Sequence, residues 1–278
     1  MTVLDRIKSF SDRLTETDRK IIGTLMDNRA EAAFLSGPQL AERAQVHEAT
    51  ATRLAQKLGY KGYPELRAQL QRELVEGQDA AARVRRSVSK VEHGGFLADL
   101  IATEMTALEN LDRCISQDEI DRVADAIVAA RKVFVFAQGH AQSVASFFLR
   151  RLDRYGMTTV SLGGRGRDIA ERVVSMGPQD IVVALAFRQQ PAGYAPLAER
   201  AAQVGARTVL VSDLIGPTME PVADVTLAAP RGRSGSEFQT PTVPMTIMNA
   251  ILLTIAGRHE ATMIGKLEEL SELFRSFD

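Results

Sequence analysis

Five short β-branched and apolar runs occupy the second half of the chain: KVFVFA (132–137), TTVSL (158–162), DIVVALAF (180–187), RTVLVS (207–212) and ADVTLAA (223–229). Strands that stay apolar at successive positions have no polar face, so both faces of their sheet must be covered. Helix-length patterns separate most of these runs, which is the spacing of β–α–β crossovers. This half is expected to form a three-layer α/β domain on a parallel five-stranded sheet.

The first third follows another pattern. Thr15 stands three residues before Asp18, a helix-start signature, and Ile21, Ile22, Leu25 and Met26 then share one helical face. Ser36 caps a second helix whose first turn holds Pro38, where a missing N–H costs nothing. Its inner face is Leu40, Ala41 and Ala44, small enough for close approach by a neighbour, and Val46 plugs the turn. Ala51, Leu54, Ala55 and Leu58 repeat at i, i+3, i+4, i+7, and Gly59 stops that helix. Pro64 opens another, with Leu66, Leu70 and Leu74 inward. Two short helices on a tight turn, the second polar outside and bearing Arg53, outline a helix-turn-helix whose second helix lies in the DNA major groove.

With 278 residues the chain can bury two separate cores. Residues 1–90 hold 16 Lys/Arg against 12 Asp/Glu, leaving 18 against 23 in the rest of the chain, so a basic third precedes an acidic remainder. The expected division is 1–76 for the all-α DNA-binding domain, 77–95 for a partly helical linker and 96–278 for the α/β domain. Long helices are expected over 96–115 and 118–130. The single cysteine, Cys114, suits a reducing cytoplasm and is expected to pack inside the first of these. The first ten residues lack a signal peptide's apolar core. The most apolar stretch, 245–256, is too short and interrupted to span a bilayer. A cytoplasmic protein is expected, with no membrane partner.

Ligands of an open parallel sheet bind beyond the carboxyl ends of its strands. The turn AQGHAQS after the first strand offers helix N-terminal amides to an anion. Arg165, Arg167, Arg188, Arg231 and Arg233 fall in or near these loops, as several cations gathered on a phosphate or carboxylate would. Catalytic patterns are scarce. CxxC, HExxH and GxSxG are absent, and His47, His93, His140 and His259 are scattered. The turn after the first strand also lacks GxGxxG. No metal or cofactor is expected. Glu237 and His259 form an acid/base pair only if the fold brings them together.

The segment 35–74 resembles RpiR-type bacterial transcriptional regulators, which join an N-terminal helix-turn-helix to a SIS (sugar isomerase) domain. Thr50, Arg53, Leu58, Gly59, Tyr60, Gly62 and Tyr63 match that family's pattern. VFVFAQGHAQSVASFFLRRLDRYG, DIVVALAF with its following Arg, and GARTVLVSD resemble SIS strands and helices. The resemblance implies an operator-binding regulator that senses a small anionic metabolite, sugar-phosphate-like or a carboxylate, as a homodimer or homotetramer. Helix 96–115 and the C-terminal helices are the candidates for association. A phosphosugar isomerase is the alternative reading.

On this reading Glu48, Ala49, Thr50, Thr52 and Arg53 face the duplex, and Lys57 and Lys61 its phosphates. The effector set is Gln138, Gly139, His140, Ala141, Gln142, Ser143, Ala186, Arg188, Gln189 and Glu237. Two departures stand out. The usual GxGxS turn reads Ala137-Gln138-Gly139-His140-Ala141, and Ala186 replaces the Ser that usually follows the middle strand. Both phosphate-holding hydroxyls are replaced.

Overall fold

A computed structural model of the chain describes residues 3–10, 13–27, 32–78, 80–91, 94–233 and 237–277. It forms two compact units, one of residues 1–94 with 235–238, the other of 95–234 with 239–278.

The first unit is helical: α1 (Val3–Ser9), α2 (Glu16–Asp27), α3 (Gly37–Arg43), α4 (Ala49–Lys57), α5 (Tyr63–Gln78) and α6 (Ala80–Ser89). The α6 helix lies inside the segment read as linker. Helix α2 opens on a reciprocal cap: Asp18 accepts from the Thr15 N–H and hydroxyl, both at 2.8 Å, and its own N–H donates to Thr15 Oγ1. Helix α3 opens on a capping box of Ser36 and Gln39. Ile21, Leu25, Leu40, Leu54, Leu58 and Leu66 are fully buried together, and Val46 packs on them from the turn. The side chains of Met26 and Leu74 lie outside the described residues.

Helix α4 ends at Leu58, and Gly59 takes the left-handed φ of 83° that a Cβ disfavours. Its last carbonyls are met by a side chain from α1. Arg6 of α1 donates from Nη1 to the Leu58 and Gly59 carbonyls, each at 3.0 Å, and its guanidinium lies 4.3 Å from the centre of the Tyr60 ring. Arg6→Ala is expected to destabilise this unit by about 1–2 kcal/mol, through lost capping and cation–π contact. Arg6→Lys should recover only part, as read by urea titration of helical circular dichroism.

The second unit begins with α7 (Phe96–Glu109), α8 (Leu111–Cys114) and α9 (Gln117–Ala129). The sheet and its crossovers follow: β1 (Val133–Ala137), α10 (Ala141–Arg154), β2 (Thr159–Ser161), α11 (Gly166–Val173), β3 (Ile181–Ala186), α12 (Tyr194–Val204), β4 (Arg207–Ser212) and β5 (Val225–Ala228). Helices α13 (Thr242–Arg258) and α14 (Glu260–Phe277) close it. All pairings are parallel, in the order β2-β1-β3-β4-β5. Alternate residues of β1 enter different cores. Val133, Val135 and Ala137 pack with α9, α10 and α13, whereas Phe134 and Phe136 pack with residues of α11 and α12. That two-sided burial is why the strands read as continuous apolar runs.

Two expectations for this unit fail together. The helix expected over 96–115 breaks at Asn110, whose side-chain amide donates to the Thr106 carbonyl at 2.7 Å. An Asn that satisfies the preceding turn from its side chain competes with helix propagation. The chain restarts as one turn, and Cys114 faces solvent instead of packing.

Candidate functional site

Burial sorts the helix α4 side chains into two faces. Ala51, Leu54, Ala55 and Leu58 are inside. Glu48, Thr52 and Arg53 are exposed on the other side, Ala49 and Thr50 are half-buried, and Lys61 is exposed just beyond the helix. Arg53 has no carboxylate partner among the described residues. Its guanidinium is an unbalanced charge on a polar helix face.

Lys57 differs. Its ammonium bonds the Asp18 carboxylate, which is almost fully buried, rather than projecting to solvent. Burial alone would raise the Asp18 pKa, but Lys57 and the Thr15 donors outweigh it and hold the carboxyl below its ordinary value. Two members of this face went unread in sequence. Gln56 is exposed three residues after Arg53, a helical spacing that marks it. His47 accepts the Ala49 N–H on Nδ1 at 3.2 Å and so caps α4, where the motif offers no Ser, Thr or Asp.

In the sheet, chain order reverses between β1 and β3. Ligands of open parallel sheets bind beyond the carboxyl edge at such a reversal. From β1 come Gln138, half-buried, then Gly139 (φ 57°) and His140, both exposed, before α10 starts at Ala141. A Cβ on Gly193 would lie 3.4 Å from Gln138 Nε2, so Gln138 reaches the start of α12. Gln142 and Ser143 are exposed on the first turn of α10, and the Ser143 hydroxyl donates to the His140 carbonyl at 2.8 Å.

After β3, Arg188 holds a left-handed φ of 71°. Its N–H donates to both Asp213 oxygens, at 3.2 and 3.1 Å. Asp213 also takes Nε and Nη2 of Arg231, at 3.1 and 2.8 Å, and Arg231 lies 4.7 Å from the centre of the Phe187 ring. Both charged side chains are about nine-tenths buried. Burial pulls the Arg231 pKa below the ordinary guanidinium value, opposed by Asp213. Ala186 is buried, and its carbonyl accepts from Ser212, the residue beside it on β4, at 2.6 Å.

The arginines therefore do not converge. Arg231 is neutralised by Asp213 and Arg233 by Asp99, while Arg165 and Arg167 lie exposed at the start of α11. Gln189 is exposed beside Arg188. Glu237 belongs to the first unit, where its buried carboxylate pairs with Lys90 at 2.5 Å. His259, in the second unit, lies 3.4 Å from Asp125. His93 lies outside the described residues. Among the described residues no cluster of three His, Cys, Asp or Glu side chains is placed to hold a metal, and no helix is long and apolar enough to cross a membrane.

Residues 1–77 match the family model described as a helix-turn-helix domain of the rpiR family. The helices of the N-terminal unit are thus similar to that family's helix-turn-helix domain. The chain is 30% identical over 144 residues to the HTH-type transcriptional regulator HexR of Pseudomonas aeruginosa, a match covering 51% of this chain and 50% of that protein. It is 23% identical over 256 residues to an HTH-type transcriptional regulator of Haemophilus influenzae, covering 91% and 88%. The match thus spans about half the length of the HexR relatives, 50% of one and 55% of the Escherichia coli protein.

Two solved structures share the fold. One is the sugar isomerase domain of an RpiR transcription factor from Sphaerobacter thermophilus, with TM-score 0.58, 21% identity and coverage of 63% of this chain and 97% of that one. The other is the Vibrio vulnificus NanR protein complexed with ManNAc-6P, with TM-score 0.58 and 16% identity over 100% and 99%. The helix-turn-helix unit is thus followed by a sugar-isomerase-type α/β fold.

Proposed function

We propose that this chain is a DNA-binding transcriptional regulator whose α/β unit binds a small anionic metabolite, sugar-phosphate-like or a carboxylate, without turning it over. The carrying observation is the uncovered, uncompensated Arg53 on the outer face of α4, inside a domain similar to that of the RpiR family. Glu48, Ala49, Thr50, Thr52 and Arg53 meet base edges, and Lys61 meets phosphate. Lys57, held by Asp18, is left out of that contact set. On the ligand side Gln138, Gly139, His140, Ala141, Gln142, Ser143, Ala186, Arg188 and Gln189 lie at or next to the carboxyl ends of β1 and β3, where the chain order reverses, and form the ligand set. Glu237, paired with Lys90, is set aside. Relatives named as regulators, and a structural neighbour solved with ManNAc-6P, support this reading. Two copies reading paired half-sites, in a homodimer or homotetramer, supply the affinity that one helix lacks.

Arg53→Ala should weaken binding to the cognate operator by about 1–3 kcal/mol and relax preference at one base pair, whereas Lys61→Ala should weaken all sequences alike. Gel-shift competition with DNA from upstream of the chain's own gene, at fixed salt, tests this. Equal loss on specific and random DNA for Arg53→Ala would remove its reading role. Coupling between ligand and operator is expected at about 1–3 kcal/mol.

A further inference from the structure

Strand β2 is shorter than β1, pairing only with Val133, Phe134 and Val135, and this leaves one flank of β1 uncovered near its carboxyl end. A cleft of about 300 Å³ opens there, floored by Val135 and Ala137. Gln142 and Ser146 of α10 line one wall, and Ser161 and Arg172 the other. The Arg172 guanidinium donates from Nη1 to the Ser161 carbonyl, which fixes it at the rim. Among the described residues no carboxylate pairs with Arg172. Gly163 and Gly164 carry the chain past the mouth with no side chain to fill it, and a Cβ on Gly163 would lie 3.5 Å from Gln142 Nε2.

The larger cavity, about 720 Å³ at the opposite strand edge, is lined by the carboxylates of Asp125, Asp180 and Asp224 as well as by Arg122 and Arg207. Asp180 takes a two-point contact from Arg131, Asp224 takes the Thr208 N–H and hydroxyl, and Asp125 takes Arg258. The β1–β2 cleft instead combines one cation, neutral hydrogen-bonding groups and an apolar floor with no carboxylate in its lining, in a volume at the lower end of small-ligand sites.

We infer that this cleft binds a small polyhydroxylated anion, with Arg172 on its carboxylate or phosphate and Gln142, Ser146 and Ser161 on its hydroxyls. The inference rests on the ligand half of the proposed function and moves the anion contact from Arg188 at the chain reversal to Arg172 on the β2 side. A planar guanidinium anchored through one amino group keeps other donors for a two-point contact with an oxyanion. The lost hydroxyls at positions 141 and 186 do not affect this cleft, because neither residue lines it.

Isothermal titration of the full chain with D-gluconate, glucose 6-phosphate and glucose tests it. At least one anion should bind, glucose at least about tenfold more weakly, a difference of about 1.4 kcal/mol. Arg172→Gln should weaken the anion about tenfold or more and leave glucose unchanged. Ser146→Phe, an exposed position, should fill the cleft and abolish binding with the melting temperature kept. Loss of binding in Arg188→Gln with Arg172→Gln unaffected would overturn the inference, return the ligand to the chain reversal and leave the proposed function standing. Failure of both anions to bind would also overturn it, while the operator measurements judge the DNA half independently.

Discussion

Asp213→Ala should destabilise the α/β unit by about 3–5 kcal/mol, the cost of leaving a buried charge without its partner. Asp213 is 7% exposed and serves two donors, the Arg231 guanidinium and the Arg188 N–H. Without it, Arg231 remains about 10% exposed between the Phe187 ring and the end of β4, with its charge unmatched. The left-handed turn at Arg188, costing about 1–2 kcal/mol for a residue with a Cβ, also loses the bond that holds it. Urea unfolding followed by far-ultraviolet circular dichroism measures the loss. Combining Asp213→Ala with Arg231→Met should restore most of it, since removing both charges removes the buried imbalance. A single-variant loss below about 1 kcal/mol would show that water already compensates the pair.

Asp18→Asn should have two effects in opposite directions. Stability of the helical unit should fall by about 1–3 kcal/mol, because the charge-assisted bonds from Lys57 and Thr15 weaken. Since the native pKa of Asp18 is held down, its contribution is complete above the ordinary carboxyl range and disappears as pH falls through the lowered value. The variant should therefore lose less stability than the parent between neutral pH and strong acid. DNA binding should move the other way. Lys57, released from a carboxylate that is almost fully buried, becomes available to a phosphate, so the salt dependence of binding should steepen by about one unit. An unchanged slope would mean that Lys57 stays docked or points away from the duplex.

The parts of this molecule carried by periodicity could be read from sequence. RTVLVS is β4 over its whole length, and the other four strands lie within their expected runs, because a strand buried on two faces leaves an uninterrupted apolar record. The caps at Thr15 and Ser36 were equally visible, since each depends on residues three apart. Partnerships between distant residues left no such record. Asp18 with Lys57, Arg6 with Leu58 and Asp213 with Arg231 are separated by 39, 52 and 18 positions. A lone sequence shows each of these only as an ordinary surface charge. Four of the expected contacts changed for that reason: Lys57, Arg231, Arg233 and Glu237 each carry a partner that only the fold supplies. Asn110 adds a different case, a local side-chain bond that outcompetes an otherwise unbroken helical pattern.

The Arg6 contact also bears on how the molecule can be dissected. The recognisable motif begins at Ser36, and a fragment cut there would contain both of its helices and the turn. It would lack the side chain that closes the carbonyl end of α4 and covers Tyr60. The smallest autonomous DNA-reading piece therefore starts no later than α1, and a tag or protease site placed within the first nine residues tampers with the reading helix itself.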